Sequence, residues 1–361
     1  MASGKPARSG RAGPGSATGP KVAILGLGQM GLVCAAALAG GERPADQGPL
    51  PGVVMWGHSR DEADLLGQTR ASPRLPGFVL PDTVRVAMTD AEALGGAGLI
   101  VSAVPVQFMR SVWERLAGLV PGDAAVVSVS KGIENGTLLR PTEIVRDVLG
   151  AGRALAPVGV LSGPTIAAEL ARYRPATMLA ASADAGLSAR LQALFTTSWL
   201  RIYTHDDVPG VELAGATKNV IAIAAGIIDG LGAGYNAKSA LLARGLAEIV
   251  RLGTAMGASP ETFFGIAGVG DLATSCFSPE GRNRSCGEAL GRGEPLAEYL
   301  NRTRSVVEGV ATTRSVIDLA RRHGVDMPIV EAVHAVLFEG LDPIDGIARL
   351  MSRRPTAERI G

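Results

Sequence analysis

Residues 21–25 form a short apolar run that passes directly into Gly26-Leu27-Gly28-Gln29-Met30-Gly31, and an apolar helical pattern follows over 32–39. A strand, a glycine turn and a helix in that order limit the possible folds more than anything else in the chain. The glycines permit a tight turn and close backbone approach, and the helix start offers unpaired N–H groups to a pyrophosphate. In a chain with 48 glycines the turn alone is weak evidence. With a strand before it and a helix after it, Gly26, Gly28 and Gly31 read as a dinucleotide-binding fingerprint.

Short apolar runs at 22–25, 53–56, 99–104, 124–129 and 158–161 alternate with helical patterns. This alternation implies a parallel sheet covered on both faces. Beyond about residue 209 the pattern becomes helical, with long segments at 211–228, 237–256, 312–323 and 328–337. The expected fold class is α/β, with an N-terminal Rossmann-type dinucleotide-binding domain at 21–208 followed by an all-α substrate domain at 209–352. Asn236 is placed to cap a helix beginning at Ala237, Gly257 to end it, and Ser259-Pro260 to open the next. Residues 1–20 are rich in Gly, Ala, Ser and Pro and read as a disordered tail, and 353–361 as a second tail.

Lys plus Arg (35) and Asp plus Glu (34) nearly cancel, so no long-range field draws the chain to nucleic acid or an anionic membrane. Cys34, Cys276 and Cys286 have neither metal-ligand nor disulfide-framework spacing, which fits a reducing cytoplasm. The N-terminal residues lack a secretory apolar region, and their Gly and Pro content opposes a transit helix. No apolar run reads as long and uninterrupted enough to span a bilayer. The expectation is a soluble cytoplasmic protein that needs no metal.

The densest chemistry lies in 212–284. Lys218-Asn219 sits inside an apolar helix, where Lys218 shares a stripe with Ala214, Ile221 and Ala225. A buried amine exchanges its proton more readily near neutral pH, whereas a lysine that snorkels to the surface does not. Asp271 follows a glycine-rich turn and can orient Lys218, or it can cap a helix beginning at Leu272. Ser275 adds a hydroxyl one turn later. Arg282-Asn283-Arg284, read as a loop after Pro279-Glu280-Gly281, suits a phosphate or carboxylate but equally suits plain solvent exposure. Lys131-Gly132 and Ser162-Gly163-Pro164-Thr165 follow strands at the rim where open α/β sheets bind ligands, and the second should start a helix. At the end of the second strand, Gly57-His58-Ser59-Arg60 carries no acid before Asp61 and Glu62. That favours NADP(H) over NAD(H), with use of both open; alternatively, Arg60 and Asp61 simply begin a solvated helix.

Taken together these segments resemble the bacterial-type NAD(P)-dependent glycerol-3-phosphate dehydrogenases. The resemblance covers about 21–357 and rests on Ser130-Lys131-Gly132-Ile133-Glu134, Ser162-Gly163-Pro164-Thr165, Lys218-Asn219-Val220-Ile221-Ala222, Arg244-Gly245-Leu246-Ala247-Glu248, Gly270-Asp271-Leu272, Arg282-Asn283-Arg284 and Val306-Val307-Glu308-Gly309. It implies reversible hydride transfer between NAD(P)H and dihydroxyacetone phosphate, giving sn-glycerol 3-phosphate for phospholipid synthesis. By the same resemblance Lys218 is the catalytic proton carrier. Lys131, Gly163, Thr165, Asp271, Gly281, Arg282 and Asn283 are implied to hold the substrate. Gln29, Met30, His58, Lys131, Ala167, Arg282, Val306 and Glu308 are implied for the cofactor, beside the fingerprint glycines and Arg60. A homodimer is implied as well.

The chain departs from the family where Gly281 replaces a common serine, where Ser275 stands for a threonine, in a longer link at 42–51, and in the tail before Lys21. Two rivals remain open: a two-domain reductase of a 2-keto or 3-hydroxy acid, with Arg282 reading a carboxylate, and a cofactor-sensing protein without turnover.

Overall fold

The structure, a computed structural model, describes residues 19–40, 50–150, 156–303, 305–354 and 357. Eight strands form one sheet: β1 (Gly19–Leu25), β2 (Pro51–Trp56), β3 (Arg85–Val86), β4 (Ala97–Ser102), β5 (Ala125–Ser128), β6 (Val158–Ser162), β7 (Ala176–Ser182) and β8 (Leu200–His205). Their order is β3-β2-β1-β4-β5-β6-β7-β8, parallel throughout except between β6 and β7. The strands at its centre read as unbroken apolar runs because both faces are covered. Helix Gln29–Gly40 packs into one apolar cluster, while helices Val106–Leu116 and Pro141–Leu149 pack into the cluster on the opposite face.

The five anticipated strands are present to within a few residues at each end, whereas β3, β7 and β8 escaped the sequence pattern. The first strand starts at Gly19, inside the stretch read as tail. Residues 1–18 of that tail, 42–49 of the 42–51 link and most of 355–361 lie outside the described residues.

Helix Val208–Gly230 is the axis of the second half, wrapped by Gly234–Ala255, Asp271–Phe277, Arg282–Gly291 and Glu308–His323. This corrects the expectation about apolar runs: by length and composition the helix could cross a membrane, but its apolar stretch is wholly buried inside the protein. A helix enclosed on all sides is apolar all round. The following helix begins at Gly234, not Ala237, so Asn236 lies inside its first turn and caps nothing. Gly232 and Gly234, both at positive φ, turn the chain directly from one helix into the next. Gly257 does adopt the left-handed conformation expected of it, and Pro260 does open the next helix, although the Ser259 side chain makes no cap bond.

Helices Val208–Gly230 and Arg282–Gly291 cross at backbone contact. A β-carbon on Gly226 would lie 1.9 Å from the Arg284 carbonyl oxygen, and one on Gly287 would lie 1.9 Å from that of Ile223. Neither neighbour is a flexible side-chain end, so the helices would have to part. Overpacking of this kind costs about 1–3 kcal/mol or more. Gly226→Ala should lower the urea midpoint accordingly, whereas Gly118→Ala, with open space around the added carbon, should not; equal midpoints for the two variants would contradict the close crossing.

Candidate active site

The site forms where the segments after β5 and β6 meet the middle of helix Val208–Gly230. Lys131 follows β5, and its Nζ donates to Gly163 O at 2.9 Å, Thr165 Oγ1 at 3.4 Å and Asp271 Oδ2 at 2.6 Å. Lys218, buried on the helix axis, lies 3.0 Å from Asp271 Oδ1 and donates to Ser275 Oγ at 2.6 Å. Asp271 is therefore shared by two lysines, each taking one carboxylate oxygen. It is the first residue of helix Asp271–Phe277, and its carboxylate faces the lysines and caps no amide. The glycine-rich segment before it is a wide π-type turn, Ile266–Gly270.

An ammonium has three hydrogens. Those of Lys131 match three acceptors, while Lys218 has two among the described residues, leaving one hydrogen for a ligand. Lys218 does not snorkel. Among the described residues, the buried Nδ2 of neighbouring Asn219 has no partner, and neither does the buried Ser162 Oγ. The sequence noted Asn219 and Ser275 only as companions of better-marked residues; an amide and a hydroxyl inside helices carry no pattern of their own.

Burial and the nearby Lys218 charge push the Lys131 amine down to about 8, against the opposing pull of Asp271. Glu308 is pushed up by burial, and the charges of Arg282, Lys218 and Lys131 oppose that rise.

Arg282, Asn283 and Arg284 are not in a loop. They form the first turn of helix Arg282–Gly291, with Gly281 at its cap position. Arg282 donates to Val306 O at 3.1 Å, and Asn283 Oδ1 accepts from Gly309 N at 2.9 Å, which joins this turn to the start of helix Glu308–His323. Arg284 points elsewhere, to Asp229 at 2.6 Å. Arg282 is exposed at the rim, and the Gly281 backbone stands beside it.

The fingerprint has the shape that a dinucleotide requires. Gly26 has φ +120°, and a β-carbon there would lie 2.6 Å from Ala103 O; one on Gly31 would lie 2.1 Å from Gly26 O. A β-carbon on Gly28, by contrast, would meet no described atom beyond its chain neighbours within 4 Å, which leaves an open cradle at the start of helix Gln29–Gly40. Met30 and Ala167 pack against the same apolar cluster beside it. Helix Ala167–Leu170 begins two residues after Thr165, so the Ser162–Thr165 turn precedes the helix and does not start it. His58 is exposed just beyond β2, and Arg60, also exposed, starts helix Arg60–Thr69, whose cap is the Ser59 hydroxyl. A solvated helix does begin there, directly after the end of β2.

Residues 21–188 match the N-terminal family of NAD-dependent glycerol-3-phosphate dehydrogenase, and 207–348 match its C-terminal family. The chain belongs to the NAD-dependent glycerol-3-phosphate dehydrogenase family. It is 45% identical over 342 residues to the glycerol-3-phosphate dehydrogenase (NAD(P)+) of Streptomyces griseus subsp. griseus, covering 94% of this chain and 98% of that one. It is 44% identical over 340 residues to glycerol-3-phosphate dehydrogenase (NAD(P)+) 2 of Mycobacterium bovis, covering 93% and 98%. The crystal structure of glycerol-3-phosphate dehydrogenase from Coxiella burnetii superposes with TM-score 0.86 at 34% identity, covering 92% of this chain and 99% of that one. A ketopantoate reductase from Ralstonia eutropha, 16% identical with TM-score 0.56, covers 91% and 99% and shares the fold alone.

Because Lys131 is lowered, its charge is present below about pH 8 and lost above it. Calorimetric affinity for a small phosphate monoester should therefore fall as pH rises through that value. Lys131→Arg, whose guanidinium stays charged, should keep its affinity across the same range. A flat wild-type profile would show that Lys131 does not titrate there.

Proposed function

We propose that the chain interconverts dihydroxyacetone phosphate and sn-glycerol 3-phosphate with NADP(H), and with NAD(H), in glycerolipid precursor synthesis. The observation that carries this reading is the Asp271 carboxylate held between Lys131 and Lys218, in a chain that also carries the open fingerprint turn. Bound nicotinamide supplies or accepts the hydride at the substrate's C2. The fingerprint glycines, Gln29, Met30, His58, Arg60, Ala167, Val306 and Glu308 hold the cofactor, with Lys131 and Arg282 shared between cofactor and substrate.

In the reducing direction the uncommitted hydrogen of Lys218 passes to the carbonyl oxygen as the hydride arrives at carbon, so the ketone becomes a secondary alcohol and Lys218 is left neutral. Asp271 and Ser275 hold the amine in place. The positive charge of Lys131 and the Asn219 amide stabilise the negative charge developing on oxygen. Arg282 and Asn283 at a helix start, with the Gly281 backbone, grip the phosphate, and Gly163 and Thr165 close the opposite side through Lys131. In oxidation Lys218 runs the same step backward as the base.

The division is at about residue 208, with the cofactor unit at 21–208 and the substrate unit at 209–352. Balanced charge and three free, buried cysteines accompany a cytoplasmic protein without membrane insertion, acting as a homodimer.

The test is NADPH oxidation with dihydroxyacetone phosphate and, in parallel, with unphosphorylated dihydroxyacetone and a 2-keto acid. Turnover confined to the keto acid would favour the rival reductase, and no turnover with any of them would favour a cofactor sensor. Lys218→Met should lower kcat at least about a hundredfold while cofactor binding persists. Arg282→Ala should cost about tenfold or more in kcat/KM for the phosphorylated ketone and much less for dihydroxyacetone. Equal losses on the two ketones would remove Arg282 from phosphate recognition.

A further inference from the structure

Residues 71–84 follow helix Arg60–Thr69 and fold back on themselves. They are latched by an Ala71–Val79 bridge and by Arg70, which donates to Val84 O at 2.8 Å and to Pro81 O. The loop is also tied to the fingerprint: Gln29 Nε2, from the first residue of the phosphate-facing helix, donates to Arg74 O at 2.8 Å. The Arg74 backbone is thereby fixed beside the turn that receives the pyrophosphate. Its guanidinium pairs with Glu62, in the first turn of the helix that starts immediately after His58 and Ser59. One residue thus spans the gap between the pyrophosphate turn and the end of β2. In this fold the ribose 2′ group is read at that place.

We propose that Arg74 is a specificity-determining residue that takes the 2′-phosphate of NADP(H). The proposal rests on the chain's use of a nicotinamide dinucleotide and does not depend on which ketone it reduces. Ser59 at the same turn is committed, its hydroxyl accepting from Glu62 N at 3.3 Å. Among the described residues the Arg74 guanidinium is tied up only by an exposed pair, with 44% and 45% of the two side chains accessible. Such a pair contributes little and is readily exchanged. A phosphate dianion offers more charge and more acceptor oxygens than the Glu62 carboxylate, and a guanidinium can bind two of those oxygens at once. Glu62 stands as a surrogate anion that keeps Arg74 aimed at the 2′ position and competes with the phosphate for it. With NAD(H) the pair stays closed and no charge is left unmatched, which suits a protein that uses both cofactors.

The test is calorimetric binding of NADP+ and NAD+ to the whole protein without substrate, since the two ligands differ only in the phosphate. Arg74→Ala should weaken NADP+ by about tenfold or more and NAD+ by less than about twofold. Arg74→Lys should restore part of the difference. Glu62→Gln, by releasing the guanidinium, should tighten NADP+ roughly threefold. The Gln29 bond goes to the Arg74 backbone, so it survives in both Arg74 variants; thermal midpoints near that of the wild type would confirm that the loop is intact. Equal losses of both cofactors in Arg74→Ala, or an unchanged NADP+/NAD+ ratio, would overturn the proposal.

Discussion

The Asp271 carboxylate, with one oxygen 2.6 Å from Lys131 and the other 3.0 Å from Lys218, is the interaction on which the rest of the site depends. Two ammonium groups this deep would repel one another and lose their water. A single buried carboxylate between them cancels one charge and leaves the cluster with a net charge of about +1, suited to an anion. It also divides the labour. Lys131 is saturated by Gly163, Thr165 and Asp271 and supplies charge below about pH 8, while Lys218 keeps a hydrogen to give away. Removing the carboxylate would leave an uncompensated buried charge, the costly way to break such a cluster.

The fold serves this arrangement through one helix. Val208–Gly230 presents Lys218 and Asn219 to the site, and its Gly215 faces Ser162 and the Lys131 stem, where a β-carbon would lie 3.2 Å from Ser162 Oγ and 3.4 Å from Lys131 Cγ. Further along, Gly226 allows the helix bearing Arg282 to come within backbone contact. At its start, buried Glu212 accepts from Thr142 N at 2.8 Å, Thr142 Oγ1 at 2.7 Å and Arg140 at 2.7 Å. That ties down the segment running on from Lys131. Ser315 pins the middle of the same segment, donating to Ile133 O at 3.0 Å, and Ile133 and Leu138 bury their side chains in the helical core. The connection between sheet and helices is thus a rigid seam around Lys131.

What the sequence made legible was what is local. The fingerprint lies within a dozen residues, and its glycines carry their own reasons. By contrast, β7 reads Ala-Thr-Met-Leu-Ala-Ala-Ser, small residues with little strand preference, and β8 is an edge strand with alternate residues exposed. Neither has the apolar run that marked the central strands. The helix Arg282–Gly291 passed for a loop because its buried face is largely Cys286, Gly287 and Ala289, small side chains chosen for close approach, while its first turn is polar. The lysine pair was the hardest to see. Lys131 and Asp271 are 140 residues apart, and no periodicity links them. Sequence reading joined Asp271 to Lys218 alone on chemical grounds, and resemblance to known dehydrogenases supplied the remaining roles. Arg74 was passed over because nothing in a Ser-Pro-Arg-Leu-Pro turn shows that Gln29 will hold it.

If the two lysines work only through their common carboxylate, their contributions cannot be independent. A double-mutant cycle of Asp271→Asn and Lys218→Met, read as kcat for dihydroxyacetone phosphate reduction, tests this most directly. The shared-carboxylate account predicts that each single variant loses about a hundredfold or more and that the double variant is scarcely worse than either, because the residues act as a unit. Losses that multiply, to about ten-thousandfold in the double variant, would mean that Asp271 and Lys218 act separately and that the central claim is wrong.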